Sequence, residues 1–311
     1  MLTYGCPKKL VLRSFRDLQP RSTLAKRSRH GTMPHGGAFC RRAYVPMPVG
    51  TFGADNSSIT NISQVVNLFP TSSSDVLIRK LQTISDLREA DIGVLKGIPI
   101  QEKEYSANHD LVREGDRPVY SFVVLDGLVG STKHTGEGKR QITSFFVAGD
   151  IPDLHGLHLS VMDCNFSTLT PARIGFMRHD TLRAVCDQHP RIATAFWRST
   201  LIDAAIYREW VINVGRREAY TRMAHILCEL IFRLRSMGRI EDHVADIPIT
   251  QAALGDALGL STVHVNRMLQ ELRRRGLIAT SGSKVHALDW AGLTHAGDFD
   301  TTYLHQRNPA D

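Results

Sequence analysis

Cysteine is scarce in this chain of 311 residues, and none of its five copies has a neighbour at short spacing. They stand at positions 6, 40, 164, 186 and 228, so no Cys-x-x-Cys pair occurs. Disulfide frameworks and zinc ribbons need such pairs, and an iron–sulfur cluster needs a tighter group of cysteines. The sequence therefore predicts none of these sites, and a reducing cytoplasm is the simplest compartment.

Long hydrophobic runs and the common catalytic motifs are also absent. The longest apolar stretch, residues 192–214, is interrupted by Arg198, Asp203, Arg208 and Glu209, whereas a membrane-spanning helix needs about 20 apolar residues. No P-loop, His-Glu-x-x-His, Gly-x-Ser-x-Gly or dinucleotide-binding pattern occurs, and each would mark a known enzyme class. We therefore expect neither a membrane protein nor an enzyme.

Acidic residues are nearly missing from residues 1–74, which hold ten Lys or Arg and two Asp. This segment carries the excess positive charge of the chain, whose net charge is +7. Because it is rich in Arg, Ser, Gly and Pro and has no sustained period, it is predicted to be disordered. Three other interpretations stay open: an organelle transit peptide, a later start at Met33 or Met47, and an arm that touches DNA phosphates.

The middle of the chain has the pattern of a β-rich domain. Apolar residues at helical spacing over residues 75–95 predict a helical entry, and short strands follow from about Ile98. The strand at 119–125 ends in the turn pair Asp126-Gly127, and the strands at 128–132 and 141–147 are separated by a glycine turn. Short strands joined by glycine turns favour an antiparallel β-barrel or β-roll.

A long helix is predicted to begin at Pro190 and to run to residue 214. Its apolar residues cover more than one face, although a helix that packs only on its own domain needs one. We therefore expect contact with the β-roll on one side and with a second copy on the other, with a fully buried core helix as the alternative. The predicted dimer interface consists of Phe196, Ser199, Ile202, Ile206 and Trp210.

The last third of the chain has the most specific pattern. Thr250 is a good helix cap, Gly259 ends the helix that follows, and Ser261 caps a second helix over residues 262–272. Two strand-like runs within 277–288, joined by a Ser-Gly-Ser turn, complete the order of a winged helix-turn-helix. A winged helix used only for protein contacts is the alternative.

The solvent face of the second helix carries side chains suited to reading DNA. Arg267 can bond guanine with two hydrogen bonds, Asn266 can pair with adenine, and Val263 can pack on a thymine methyl group. Hydroxyl groups and helix N-termini hold phosphates. The run Arg273–Arg275 either touches the backbone of DNA or forms a solvated helix end. The predicted DNA-contacting residues are Thr250, Gln251, Ser261, Thr262, Val263, His264, Asn266, Arg267 and Lys284.

Two runs resemble the cyclic-nucleotide-binding β-roll of the Crp/Fnr regulators. They are Leu111-Val112-x-x-Gly115-Asp116-x-Pro118-x-Tyr120-x-x-Val123-x-x-Asp126-Gly127-x-Val129 and Gln141-Ile142-x-x-Phe145-x-x-x-Gly149-Asp150. With the winged helix, the resemblance covers about residues 76–290. It implies a homodimeric bacterial transcription regulator that binds a palindromic operator, with double-stranded DNA, RNA polymerase and a small-molecule effector as partners.

The resemblance also locates the residues that depart from the family. Its recognition helix places a glutamate and an arginine on the bases; here Arg267 matches the arginine, but Val263 stands at the glutamate position and Asn266 where a small residue is usual. The DNA half-site is therefore expected to differ. The implied effector pocket contains Gly149, Asp150, Asn165, Ser167 and Thr168, without the arginine that pairs with a cyclic phosphate, so cyclic nucleotides are not expected.

One histidine-rich loop leaves a further interpretation open. Asp153, His155 and His158, followed by Asp163 and Cys164, could ligate a metal or haem or form a redox site, and a polar surface loop is the alternative. We expect no cofactor, and the sequence does not identify the effector.

The predicted fold class is α+β, with an antiparallel, jelly-roll-like β-roll sensor domain, a long dimerisation helix and a C-terminal winged helix-turn-helix. The predicted segments are a basic extension (1–74), the sensor (75–189), the dimerisation helix (190–214), the DNA-binding domain (215–290) and a tail (291–311).

Overall fold

The computed structural model describes residues 72–240, 243–282 and 284–307. All of them belong to one compact unit of the chain that starts at residue 61. The interpretations of the basic extension, including a later start and a DNA-touching arm, fall almost wholly outside these residues and stay predictions. Among the described residues, no helix is both long and apolar enough to span a bilayer.

Two short helices precede the sheets. Helix α1 (Ser73–Ile84) begins at Ser72, whose hydroxyl accepts the backbone N–H of Asp75, and helix α2 (Glu89–Lys96) begins where Asp91 accepts that of Arg88. In the sequence, the apolar residues over 75–95 kept helical spacing throughout and did not indicate that two helices lie there. The break lies at Ser85, where extended backbone (φ −141°, ψ 152°) ends the first helix.

Two antiparallel sheets form the sensor domain. One has the order β1-β7-β3 and the other β2-β6-β4-β5. Phe122, Phe146 and Phe166 fill part of the space between them with edge-to-face ring contacts. This architecture confirms the predicted antiparallel β-roll. The strands are β1 (Gln101–Tyr105), β2 (Asp110–Val112), β3 (Tyr120–Asp126), β4 (Val129–His134), β5 (Arg140–Phe146), β6 (Asn165–Thr168) and β7 (Ala172–Arg178).

Glycine is required at two turns of the roll. Gly127 joins β3 to β4 with φ +84°, and a Cβ there would lie 2.4 Å from the carbonyl oxygen of Pro171. Gly149 follows β5 with φ +94°, and a Cβ there would lie 2.7 Å from side-chain atoms of Lys80 and Met237. At both positions glycine is needed for two reasons: the backbone is left-handed, and neighbouring atoms leave no room for a side chain.

Three helices connect the roll to the winged helix. They are α3 (His179–Gln188), the 26-residue α4 (Pro190–Gly215) and α5 (Ala219–Ser236). Helix α4 packs against α1, β5 and the short 3₁₀ turn Leu154–Leu157. This packing confirms that the long helix begins at Pro190 and runs beside the sensor.

The C-terminal part is a winged helix-turn-helix. The side chains of Thr250 and Ser261 cap its two central helices by accepting the N–H groups of Ala253 and His264, as the sequence predicted. The small sheet has the order β8-β10-β9. The elements are β8 (Val244–Asp246), α6 (Gln251–Leu258), α7 (Thr262–Arg274), β9 (Ile278–Ser281), β10 (Lys284–Ala287), α8 (Trp290–Ala296) and a 3₁₀ turn (Thr302–Leu304).

The turn between α6 and α7 depends on two glycines. Gly259 has φ +65° and ends α6, as the sequence predicted. Gly255 lies against the turn itself, because the N–H of Leu260 donates to its carbonyl at 3.0 Å and a Cβ on Gly255 would lie 2.5 Å from the Leu260 oxygen. The turn backbone therefore passes closest to a residue without a side chain.

Candidate functional site: a recognition helix and a sensor cavity

The first turns of α7 present a polar face to solvent. Thr262, Val263 and Arg267 are exposed, with Val263 80% exposed, while Val265 is fully buried against the domain core. The amphipathic period of the helix fixes this division, because Val265 and Leu272 point inward seven residues apart. The exposed side is the one that the sequence predicted to face DNA.

The N-termini of α6 and α7 meet on this surface. The Asn266 amide donates to the Gln251 side-chain oxygen at 3.5 Å, and the Asn266 Oδ1 atom has no hydrogen-bond partner among the described residues. The structure thus brings together two amide side chains that the sequence had placed on different helices. The Asn266 Oδ1 atom is itself buried, so it can accept a hydrogen bond from a base edge only after the side chain turns outward.

The three consecutive arginines at the end of α7 have protein partners. Arg274 and Arg275 both bind Glu271 at 2.7 Å, and these two contacts lower the pKa of Glu271 to about 2. Arg273 donates to the hydroxyl of Thr280 on β9 at 2.8 Å. The run therefore forms a charged helix end tied to the wing, while Lys284 at the start of β10 is exposed.

A cavity of about 450 Å³ lies between the β-roll and α4. Asp203 and Tyr207 of α4 line one wall, and burial followed by the charge of Asp150 raises the pKa of Asp203 to about 7. The lining includes Lys133, whose ammonium group binds Glu114 at 2.8 Å and the backbone oxygen of Asp163. The polar lining consists of Lys133, Thr143, His155, Asp163, Cys164, Thr200, Asp203 and Tyr207.

The five residues that the resemblance implied for the effector pocket do not line this cavity. Asp150 is buried and bound to Lys80 at 2.8 Å and to Arg233 at 2.6 Å. Asn165 accepts the N–H of Glu114, and Thr168 donates to the carbonyl of Ser106. Gly149 and Ser167 are likewise absent from its lining. The sequence analysis missed Asp203 as a cavity residue, although an acid within an apolar helix is a signal that could have pointed to the cavity.

The histidine-rich loop divides between the cavity wall and the interior. His155, Asp163 and Cys164 reach the cavity, His158 is exposed, and Asp153 is fully buried. Burial and the charge of Asp163 raise the pKa of the Cys164 thiol to about 12, so it stays protonated at neutral pH. Within the described ranges, no group of three or more His, Cys, Asp or Glu side chains is arranged to hold a metal ion.

The two faces of α4 have different surroundings from those predicted. Phe196, Ser199, Ile202, Ile206 and Trp210 are all buried by the chain itself, so the proposed interface with a second copy cannot use them as assigned. The exposed apolar side chains lie on the other face, at Trp197, Leu201, Val211 and Ile212. The correction follows from packing partners distant in sequence, such as Phe145 against Trp210.

Two domain patterns match the chain. The pattern of the cyclic nucleotide-binding domain matches residues 102–189, which cover most of the β-roll, and that of the Crp-like helix-turn-helix domain matches residues 221–296. Together they cover both the cavity-bearing sensor and the recognition helix.

Relatives that match the chain are named as transcriptional activators. The chain is 24% identical over 207 residues to the transcriptional activator protein anr of Pseudomonas aeruginosa, covering 67% of this chain and 82% of the relative. It is 25% identical over 201 residues to the transcriptional activator protein FnrL of Cereibacter sphaeroides, covering 63% and 80%. The structure of FixK2 from Bradyrhizobium japonicum, 22% identical with a TM-score of 0.59, covers 64% of this chain and 98% of its own and has the same fold. The chain therefore belongs to the Crp/Fnr family of DNA-binding transcription regulators.

Proposed function

We propose that the protein is a homodimeric transcription regulator that reads a palindromic operator with α7 and responds to a small molecule at the sensor cavity. The observation that carries the proposal is the exposed start of α7, where Arg267 extends into solvent and no side chain of the described residues pairs with it. Such a protein acts on DNA in the cytoplasm, and RNA polymerase is its expected partner when it activates a gene.

The outward face of α4 supports a dimer. Trp197, Leu201 and Val211 are 69%, 54% and 69% exposed, and they recur at the spacing of a coiled-coil seam together with Ala204 and Arg208. Pairing α4 with its symmetry copy covers this apolar stripe. A two-fold axis along α4 presents the two α7 helices to successive major grooves, about 34 Å apart.

The half-site follows from the side chains at the start of α7. Arg267 is assigned to guanine and Val263 to a thymine methyl group, because these are the base edges that their chemistry fits. Gln251 and Asn266 share one hydrogen bond, so they are assigned to the base or phosphate that lies between the two helix N-termini. A glutamate is absent from this face, which removes the usual acceptor for cytosine N4.

The chemistry of the cavity favours a neutral or cationic effector. Asp163 and Asp203 contribute carboxyl groups to its wall, and the single lysine in the lining is already paired with Glu114. A phosphate brought into this site would find no free countercation among the described residues of the wall. An amine or a hydrogen-bond donor would instead find two carboxyl groups and the Tyr207 hydroxyl.

Selection of bound fragments from a random DNA pool tests the proposal. We expect enrichment of an inverted repeat with half-site centres about one helical turn apart. Enrichment of a sequence without two-fold symmetry would contradict the dimer, and a pool without any enriched sequence would contradict specific recognition. Light scattering on the same preparation measures whether the bound species contains two chains.

A further inference from the structure

Residues 297–307 follow the matched helix-turn-helix segment and return across the molecule to the sensor. Tyr303 packs on α5, the His305 carbonyl accepts from Arg198 of α4, and the Arg307 N–H donates to the Thr83 carbonyl of α1 at 2.8 Å. Asp298 also binds Arg217, which connects α4 to α5, at 3.1 Å. This segment, here called the strap, therefore contacts the DNA-binding domain at its start and the helices of the sensor at its end.

A chain of buried polar contacts begins at the strap. The hydroxyl of Tyr303 donates to Glu229 at 2.8 Å, and Glu229 binds Arg233 at 3.0 Å. Arg233 binds Asp150 of the β-roll at 2.6 Å, and Asp150 binds Lys80 of α1 at 2.8 Å. The chain of contacts therefore passes from the strap through α5 into the sensor in four steps.

The charges along this chain are balanced and enclosed. The two carboxylates, Asp150 and Glu229, and the guanidinium of Arg233 are each at most 3% exposed. The indole N–H of Trp210 on α4 also donates to Glu229 at 3.1 Å. Because an unpaired buried charge is strongly unfavourable, these groups stabilise one arrangement of the elements that carry them.

A second contact between the domains lies away from the strap. Arg140 at the start of β5 binds Asp256 of α6 at 2.7 Å, and the Gln141 amide donates to the Ala257 carbonyl at 3.1 Å. This pair of contacts is half-exposed, whereas the Asp150–Arg233 pair is buried. Two separate contacts restrict rotation of one domain against the other more than one contact does.

We propose that the strap, acting through Tyr303 and the Glu229–Arg233–Asp150 chain, fixes the orientation of the winged helix on the sensor and thereby sets the distance between the two recognition helices of the dimer. Tyr303 and Asp150 are positioning residues in this account, since neither lies on the DNA-reading surface. The inference rests on the proposed palindrome-binding dimer.

Binding to operators of graded half-site spacing tests the inference. The first variant, Tyr303→Phe, removes the hydroxyl that lies within hydrogen-bond distance of Glu229 and His225. The matched control is Tyr220→Phe, because the buried Tyr220 hydroxyl on α5 has no hydrogen-bond partner among the described residues. We expect the parent and the control to lose about tenfold in affinity when the spacing changes by one or two base pairs. Tyr303→Phe should lose only about twofold over the same change, with unaltered affinity for a single half-site.

A measurement without DNA separates this inference from the proposed function. The backbone amide hydrogens of residues 216–218, which connect α4 to α5, should exchange with solvent faster in Tyr303→Phe than in the parent and in Tyr220→Phe. If the parent binds no operator but exchange changes as expected, the proposed function fails and the strap is supported. If the parent shows a sharp spacing optimum and Tyr303→Phe matches it in spacing and exchange, the strap inference is overturned.

Discussion

The junction between the two domains and the recognition surface contain the same chemical groups in opposite surroundings. At the junction, Arg233 is buried between Asp150 and Glu229, and every charge has a partner. On the recognition surface, Arg267 is exposed and has no partner among the described side chains. A buried, paired arginine orients the elements around it, whereas an exposed arginine keeps its donors for a ligand.

Removal of Arg233 should have the largest effect, because it leaves two buried carboxylates without their shared partner. We expect Arg233→Ala to lower the free energy of unfolding by about 3–5 kcal/mol, measured by urea titration. Arg274→Ala is the matched control, since its ion pair with Glu271 lies in solvent and should leave the midpoint unchanged. Equal midpoints for the two variants would show that the buried arginine contributes no more to the free energy of unfolding than the exposed one.

Asp153 is a buried acid with no positively charged partner among the described residues, whereas Asp150 is paired with Lys80 and Arg233. Burial raises its pKa to about 8, while its Oδ1 accepts the Phe122 N–H at 3.0 Å and its Oδ2 has no partner among the described residues. Between pH 4 and 8 the unfolded chain loses this proton and the folded chain keeps it, so stability falls as pH rises, by about 1.4 kcal/mol per pH unit at most. Asp153→Asn should remove this fall.

The contrast with Asp150 supplies the control for that experiment. Burial acts to raise its pKa, but Lys80 and Arg233 outweigh burial, so the pKa of Asp150 is lowered. Its contribution to stability is therefore present at neutral pH and is lost as the pH falls below about 4. Urea midpoints measured from pH 5 to 8 should converge for Asp153→Asn and the parent at the acid end; parallel curves would contradict a protonated Asp153.

The outward face of α4 should respond differently from its buried face. Leu201→Glu places two like charges across the proposed two-fold axis, so we expect dimer dissociation to become about a hundredfold easier, or about 2.7 kcal/mol, with a folded monomer. Val119→Glu, at a similarly exposed apolar position on the β-roll, is the control and should remain dimeric. A dimer that persists in Leu201→Glu by analytical ultracentrifugation would exclude this stripe as the interface.

Arg267 should affect binding without affecting folding. Arg267→Ala is expected to weaken operator binding by about 1–3 kcal/mol and to relax the preference at one base pair of each half-site, measured by fluorescence anisotropy on operator variants. Its urea midpoint should equal that of the parent. Uniform weakening on all sequences would instead assign Arg267 to a phosphate.

Cyclic AMP should have the smallest effect, because no cation among the described residues that line the cavity is free to pair with its phosphate. We expect no change in melting temperature at millimolar concentrations. A ligand at a hundred times its dissociation constant would stabilise the fold by about 2.7 kcal/mol, so calorimetry would detect it. A saturable rise that adenosine monophosphate does not reproduce would refute the description of the cavity as unsuited to phosphates.

Local sequence signals predicted the elements that depend on local contacts. Thr250 and Ser261 cap their helices, and Gly127 and Gly259 form left-handed turns, because each of these roles involves neighbours within a few residues. The family resemblance added the order of the domains. These signals were sufficient to assign the β-roll, the long helix and the recognition surface.

Contacts between residues far apart in the sequence could not be predicted from the sequence pattern. The period of α4 showed two apolar faces, but packing partners distant in sequence, such as Phe145 against Trp210, determine which face is inward. In the same way, Asp150 was assigned to an effector pocket, and its partner Arg233 is 83 residues away in the chain. The cavity walls come from β-strands and α4 together, so no single segment contains a pattern for them.

The position of the strap in the chain affects how the protein folds during its synthesis on the ribosome. It is translated after both of the domains that it joins, so each domain can fold before Tyr303 has left the exit tunnel. Until then, the recognition helix exists without its final orientation. A nascent chain would thus become competent to recognise two properly spaced half-sites only after the strap has left the exit tunnel and Tyr303 has bound Glu229.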